Sequence, residues 1–160
     1  MEEQICYRPI GIIHSPYPEP YGVPFQPSFG RGVEGTVEVF PEYAEGLADL
    51  DGFSHITLIY HLHRAQGYRL RVTPPHKRGT RGLFATRAPH RPNPIGVSTV
   101  RLLKVEGRIL HIADLDIIDG TPLLDIKPYV LLFIKPGAVK NGWVEERHER
   151  SVDEEGNCVD

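Results

Sequence analysis

Residues 116–129 read DIIDGTPLLDIKPY, and three of them, Asp125, Lys127 and Tyr129, recur at every second position. In an extended segment that spacing puts all three on one face. The preceding Asp119-Gly120-Thr121-Pro122 is a turn by its chemistry. One reading is a hairpin turn followed by an Asp125–Lys127 salt bridge. The other is pocket lining, where acidic groups meet a cationic ligand beside a lysine and a tyrosine.

A second dense stretch, LFATRAPHRPNPIGVS (83–98), sets Arg87, His90, Arg91 and Asn93 among three prolines. Proline fixes its own φ and holds the residue before it extended. Such a backbone presents side chains with little entropy left to lose on binding. Planar guanidinium groups suit phosphates and carboxylates. The alternative is a stiff crossover whose arginines face water. A third stretch, YHLHR (60–64), puts His61 and His63 on one strand face with Arg64 beyond. Two histidines can chelate a metal, but no third ligand stands at recognisable spacing. A polar strand face at a pocket mouth fits better, and no metal site is expected.

The elements that must position these residues are short strands. HITLIYHLH (55–63) alternates, with Ile56, Leu58, Tyr60 and Leu62 on the apolar face. GTVEVFP (35–41), YRLRV (68–72) and RGLFAT (81–86) read as strands, and YVLLFI (129–134) as a final buried one. VSTVRLLKV (97–105) and RILHIADLDII (108–118) form a hairpin about Glu106-Gly107. PEYAEGLADL (41–50) is a short helix opened by proline. HSPYPEPYGVPFQPSFGRG (14–32), with five prolines and four aromatic residues, is an ordered wrapping loop. The class is therefore mainly β, a small single-domain β-barrel with few short helices, since closure removes exposed strand edges.

With 160 residues the chain is long enough for one cored domain. Its longest apolar runs are far too short to span a membrane. The acidic start MEEQ argues against an export signal. Cys6 and Cys158 stand at opposite ends without a C-x-x-C spacing, which suggests reduced thiols in a cytoplasmic protein. The net charge of −3 conceals segregation. Residues 52–105 contain no Asp or Glu but ten of the eighteen Lys and Arg, whereas the end of the chain is acidic. A basic block with an acidic tail suits a protein that binds polyanions, and equally a solvated cationic face.

Taken together, SPY (15–17), EVFPEYAEGLADLDGFSHITLIYHLHR (38–64), FATRAPHRPNPIGVS (84–98) and DGTPLLDIKPYV (119–130) resemble the TsaA/TrmO-like family of S-adenosylmethionine-dependent tRNA methyltransferases. The resemblance covers roughly residues 6–138. It implies a β-barrel domain over 1–140, with an acidic tail over 141–160, in a compact archaeal-like form without the additional C-terminal domain. It also implies a homodimer, S-adenosyl-L-methionine as cofactor, and methylation of N6 of threonylcarbamoyladenosine beside the anticodon of tRNA. No G-x-G-x-x-G stretch is present, as a non-Rossmann cofactor site requires.

Carried over by motif, the cofactor contacts are Pro24, Phe25, Gln26, His63, Arg64, Arg87, Val97, Asp119, Gly120 and Thr121. Many bacterial members have PRQ where this chain has PFQ, so Phe25 replaces a cation. For catalysis the expected residues are Asp125, Lys127 and Tyr129, with Lys127 polarising the carbamoyl carbonyl and Asp125 or Tyr129 managing the proton. Lys77, Arg78, His90, Arg91 and Asn93 are expected to hold tRNA. Two other readings are a methyltransferase of the same fold with a different acceptor, and a non-catalytic RNA-binding barrel.

Overall fold

The structure is a computed structural model, described here for residues 3–20, 23, 30–134 and 137–145. Among these residues the strands run, in chain order, β1 (Gly11–His14), β2 (Glu34–Val39), β3 (His55–His61), β4 (Arg71–Val72), β5 (Arg81–Gly82), β6 (Ile95–Glu106), β7 (Ile109–Ala113) and β8 (Thr121–Pro128). Six of them close into a barrel in the order β1-β2-β7-β6-β3-β8, every pair antiparallel. The described helices are all short 3-10 turns, the longest being Pro41–Leu47 with proline at its start. The expected mainly-β barrel is what the chain forms.

Alternation builds the core. On β3 the buried positions are Ile56, Leu58 and Tyr60, as the sequence pattern requires. They share one core with Ile13, Val37, Val39, Val100, Leu110, Ile112 and Leu123, to which Leu115 and Ile117 from beyond β7 also belong. Each such side chain contributes about 1.5–3 kcal/mol by leaving water.

One irregularity decides where the polar residues of β8 point. Ile59 pairs with Asp125, but its neighbour Tyr60 pairs with Leu123, so Leu124 is an extra residue on β8. Such a bulge shifts side-chain parity by one. Thr121 and Leu123 are buried before it, and Ile126 packs on the core after it. Asp125 and Lys127 therefore face outward, with 46% and 63% of their side chains exposed.

Several expected elements differ. YRLRV and RGLFAT shorten to the two-residue strands β4 and β5, and Leu83–Ala85 turns into a 3-10 helix. YVLLFI is not a buried strand: Leu131–Phe133 is a 3-10 turn in which Leu132 is 84% exposed. The segment would have to lengthen β8, but Pro128 has no N–H to extend the ladder, and β3 begins at His55, which already takes the Tyr129 N–H. β1, unmarked in the sequence reading, completes the closure.

The chain forms two compact units, Met1–Tyr68 with Pro89–Val130, which holds the barrel, and Arg69–Ala88 with Leu131–Asp160, which holds β4 and β5. No helix among the described residues is long and apolar enough to cross a membrane.

Candidate functional site

At one end of the barrel the SPY segment and the DGT turn are tied to each other. Ser15 N–H donates to Asp119 Oδ1 at 3.0 Å, and Ser15 Oγ donates to the Ile117 carbonyl. In return Asp119 N–H donates to Tyr17 O, and Gly120 N–H to Ile13 O. The turn needs a glycine, since Gly120 has φ of 77°. His14 stands between two carboxylates, with Nε2 3.2 Å from Glu38 and Nδ1 3.7 Å from Asp119 Oδ1. Both of those contacts to Asp119 use Oδ1, so its second oxygen is the one available to a ligand hydroxyl or ammonium.

Thr121 and His63 meet beside this turn. The Thr121 hydroxyl donates to Ile118 O at 2.6 Å, so its oxygen is left to accept from His63 Nδ1 at 3.4 Å. That assignment puts the His63 proton on Nδ1 and a lone pair on Nε2. Burial holds the His63 pKa below the usual imidazole value, helped by the neighbouring Arg64 and His61 charges. This favours the neutral ring, in which Nε2 is then the acceptor. Arg64 pairs with Glu19 at 2.8 Å. Among the described residues no group of three or more His, Cys, Asp and Glu side chains is arranged to hold a metal ion.

The second cluster lies on the outer face of β8, β3 and β6. Asp125, Ile59 and Val97 form one row across the three strands, and Lys127, Thr57 and Thr99 the next. Adjacent strands stand about 4.8 Å apart, which puts Val97 about 10 Å from the Asp125 position. Lys127 Nζ is 3.0 Å from Asp125 Oδ2. Tyr129 N–H donates to His55 O, and the two rings meet edge-on at 6.2 Å. The three expected catalytic residues thus share one face, with Val97 of the expected cofactor set on it too. Beside Asp125 a cavity of about 540 Å³ is lined by Tyr43, Leu47, Leu50, Phe53 and Pro128.

The proline run is fastened to the turn after β3. Leu62 N–H donates to Pro94 O, and Ile95 N–H to Asn93 O. His90 Nδ1 sits 3.0 Å from Gln66 N and 2.9 Å from Gln66 O, so by one of these two bonds, whichever its tautomer allows, the ring holds the Gln66 backbone. Arg91 and Asn93 stand in the same segment. Arg87, Lys77 and Arg78 belong to the second unit, where Lys77 N–H closes a turn onto Pro74 O. Pro24, Phe25 and Gln26, and the acidic tail from residue 146, lie outside the described residues.

Sequence reasoning missed His14 and Glu38: pairing of β1 with β2 brings Glu38 to His14, and pairing of β1 with β8 brings His14 to Asp119. It also missed a hydrogen-bond chain inside the barrel. Ser98 Oγ donates to Asp116 at 2.6 Å and so accepts from Tyr60 OH at 2.8 Å. The IGVS motif held a signal for this, a serine at an inward position of β6.

Residues 12–133 match the tRNA-methyltransferase O N-terminal domain. A probable S-adenosyl-L-methionine-binding protein of Pyrococcus abyssi is 61% identical over 142 residues, 89% of this chain and 77% of that protein. The tRNA (adenine(37)-N6)-methyltransferase of Escherichia coli is 40% identical over 134 residues, 78% of this chain but 57% of its own length. A crystal structure of TrmO from Pseudomonas aeruginosa superposes with a TM-score of 0.73 at 37% identity, covering 88% of this chain and 62% of that one. Since the matched span contains the DGT turn, the proline run and the outer face of β8, the chain belongs to the tRNA-methyltransferase O N-terminal domain family.

Proposed function

We propose that this protein is an S-adenosyl-L-methionine-dependent methyltransferase that modifies N6 of an adenosine in tRNA, with threonylcarbamoyladenosine beside the anticodon as the acceptor. The observation that carries the reading is the barrel end, where Asp119 is clasped to Ser15–Tyr17 and Thr121 meets His63, within the span that matches the family. The donor set suits the cofactor. A carboxylate oxygen of Asp119 would hold ribose hydroxyls or the ammonium, Nε2 of His63 would accept a hydrogen bond, and Arg64 or Arg87 would pair with the carboxylate. Gly120 leaves the turn open for a close approach. Pro24, Phe25, Gln26 and Val97 complete the proposed cofactor contacts.

When bound, the cofactor supplies an activated methyl group, so alignment is the larger part of the protein's task. The acceptor nitrogen of a carbamoyl group is a poor nucleophile. Lys127 polarises the carbonyl beside it, and Asp125 or Tyr129 takes or relays the proton. His90, Arg91, Asn93, Lys77 and Arg78 hold tRNA. A homodimer belongs to the same reading, supported by the exposed Leu131, Leu132 and Phe133, which a second copy would cover.

The test is direct. Purified protein is titrated with S-adenosyl-L-methionine by calorimetry, then incubated with cofactor and tRNA carrying threonylcarbamoyladenosine. Nucleoside mass spectrometry should show a gain of one methyl group on that nucleoside. Absence of cofactor binding at high concentration overturns the enzymatic reading. A methyl group on another nucleoside overturns only the acceptor.

A further inference from the structure

The second unit carries an aromatic side chain that its own fold holds out to solvent. Phe84 is 74% exposed, although it sits in the middle of the Leu83–Ala85 turn. That turn is fastened on every side. Leu83 is buried and its N–H donates to Leu70 O at 2.9 Å. Thr86 Oγ donates back to Leu83 O at 2.7 Å. Trp143 Nε1–H donates to Ala85 O at 2.7 Å, and the Arg81 guanidinium lies 5.6 Å from the centre of the Trp143 ring. A surface loop with no task does not need four such anchors around one exposed phenyl ring.

Along the segment that carries Phe84 the charge is of one sign. Residues 69–88 contain Arg69, Arg71, Lys77, Arg78, Arg81 and Arg87, and neither Asp nor Glu. Arg71 is fixed by its hydrogen bond to Thr80 Oγ1 at 2.9 Å, so part of this charge is pre-positioned. Cations that track a phosphate backbone, with an aromatic face between them, are the recurring surface for single-stranded nucleic acid. Unpaired bases in RNA loops stack on such rings.

We propose that the second unit holds RNA, with Phe84 as the platform on which an unpaired base of the substrate loop stacks. The inference rests on tRNA being the substrate and gives a contact to Phe84, the first residue of FATRAPHRPNPIGVS, to which the resemblance assigned no role. RNA is favoured over an anionic membrane because the ring stands on a rigid three-residue turn, not on an amphipathic helix that would lie in a bilayer surface.

The experiment compares the wild-type chain, Phe84→Ala and Phe84→Trp for binding a labelled anticodon stem-loop, followed by anisotropy over a salt series. Because Phe84 is exposed, its replacement should leave the melting temperature and the cofactor affinity unchanged. Phe84→Ala should weaken RNA binding on the order of tenfold. Phe84→Trp should retain it, and the salt slope should stay the same because no phosphate contact is lost. A stem-loop with abasic loop positions should bind wild type and Phe84→Ala alike.

Wild-type affinity for Phe84→Ala overturns the proposal. So does a tenfold difference that persists on the abasic RNA, or capture by anionic vesicles with no RNA binding. A protein that binds the stem-loop through Phe84 yet transfers no methyl group supports this inference and overturns the enzymatic reading. Methylation of tRNA with Phe84→Ala binding at full affinity does the reverse.

Discussion

Lys127 Nζ lies 3.0 Å from Asp125 Oδ2 on the outside of the barrel, just beyond the bulge that turns both side chains away from the core. An exposed ion pair of this kind contributes about 0–1 kcal/mol to stability. Its removal should therefore be read in chemistry, not in folding. With saturating cofactor, Lys127→Ala and Tyr129→Phe should each lower turnover by roughly 10²-fold or more. Thermal melting should move little. Full turnover in both variants would remove these residues from the reaction.

The bulge itself can be tested by deleting Leu124. With Leu124 gone, Leu123 and Asp125 become consecutive, so a period of two keeps Leu123 and Ile126 inward and Asp125 and Lys127 outward in a regular ladder against β3. In the intact chain, pairing without the bulge would instead send Asp125 and Lys127 inward, and taking that ion pair out of water costs several kcal/mol, a large share of a small domain's stability. The deletion variant should therefore still melt cooperatively. A deletion variant without a cooperative melt would mean that Leu124 is not simply an extra residue in the ladder.

These two cases show what was legible in the sequence. The trio Asp125, Lys127, Tyr129 was readable from spacing, because alternate residues on a strand share a face. Which face was not, since a bulge depends on how β8 registers against β3. The inward positions of β3 and the β6–β7 hairpin were equally plain from alternation. YVLLFI failed because apolar composition does not reveal where the neighbouring strand ends, and β3 begins at His55, opposite Tyr129. His14 and Glu38 failed for a related reason: His14 meets Asp119 and Glu38 only through long-range pairing of β1 with β8 and β2. The His90 staple to Gln66 gives the rigid proline run a structural role that its composition did not disclose.

Stability should fall as the pH is lowered, in two stages. His63 has a folded pKa below its usual 6.5, with burial the largest cause, then Arg64 and His61. Below about pH 6.5 the unfolded chain therefore binds a proton that the folded chain resists. The contribution is complete above that pH and is lost as the pH falls toward the folded value. Asp114 adds an acid limb. Its carboxyl is held below the usual value first by the Arg101 hydrogen bond and then by Gly32 N–H. That contribution is present above the ordinary value of 3.8 and is lost as the pH drops through the lower folded value. Denaturation followed from pH 8 to 3 should show both stages, and His63→Gln should abolish the first alone.

Salt dependence should separate the two ligands. If six to ten phosphates are neutralised by the basic stretch, tRNA affinity should fall about 10³–10⁵-fold between 50 and 200 mM salt. Cofactor affinity should change far less, because its charged groups are few. Lys77→Ala and Arg78→Ala should each reduce the log–log slope by about one. A slope that neither substitution alters would move the phosphate contacts elsewhere on the chain.

Gly96 faces Tyr60 across β3 and β6, and a Cβ there would stand 2.1 Å from the tyrosine ring. The ring cannot swing aside freely, since its hydroxyl donates to Ser98 Oγ, which in turn donates to Asp116. Gly96→Ala must therefore displace the ring or break this chain. Overpacking of this kind costs about 1–3 kcal/mol, and a lost hydrogen bond about 0.5–1.5 kcal/mol more. Tyr60→Leu removes both the ring and the hydroxyl, so Gly96→Ala in that background should cost much less than in the wild type. The two effects are thus expected to be strongly non-additive in urea denaturation. Additive effects would show that the ring and the glycine do not constrain each other.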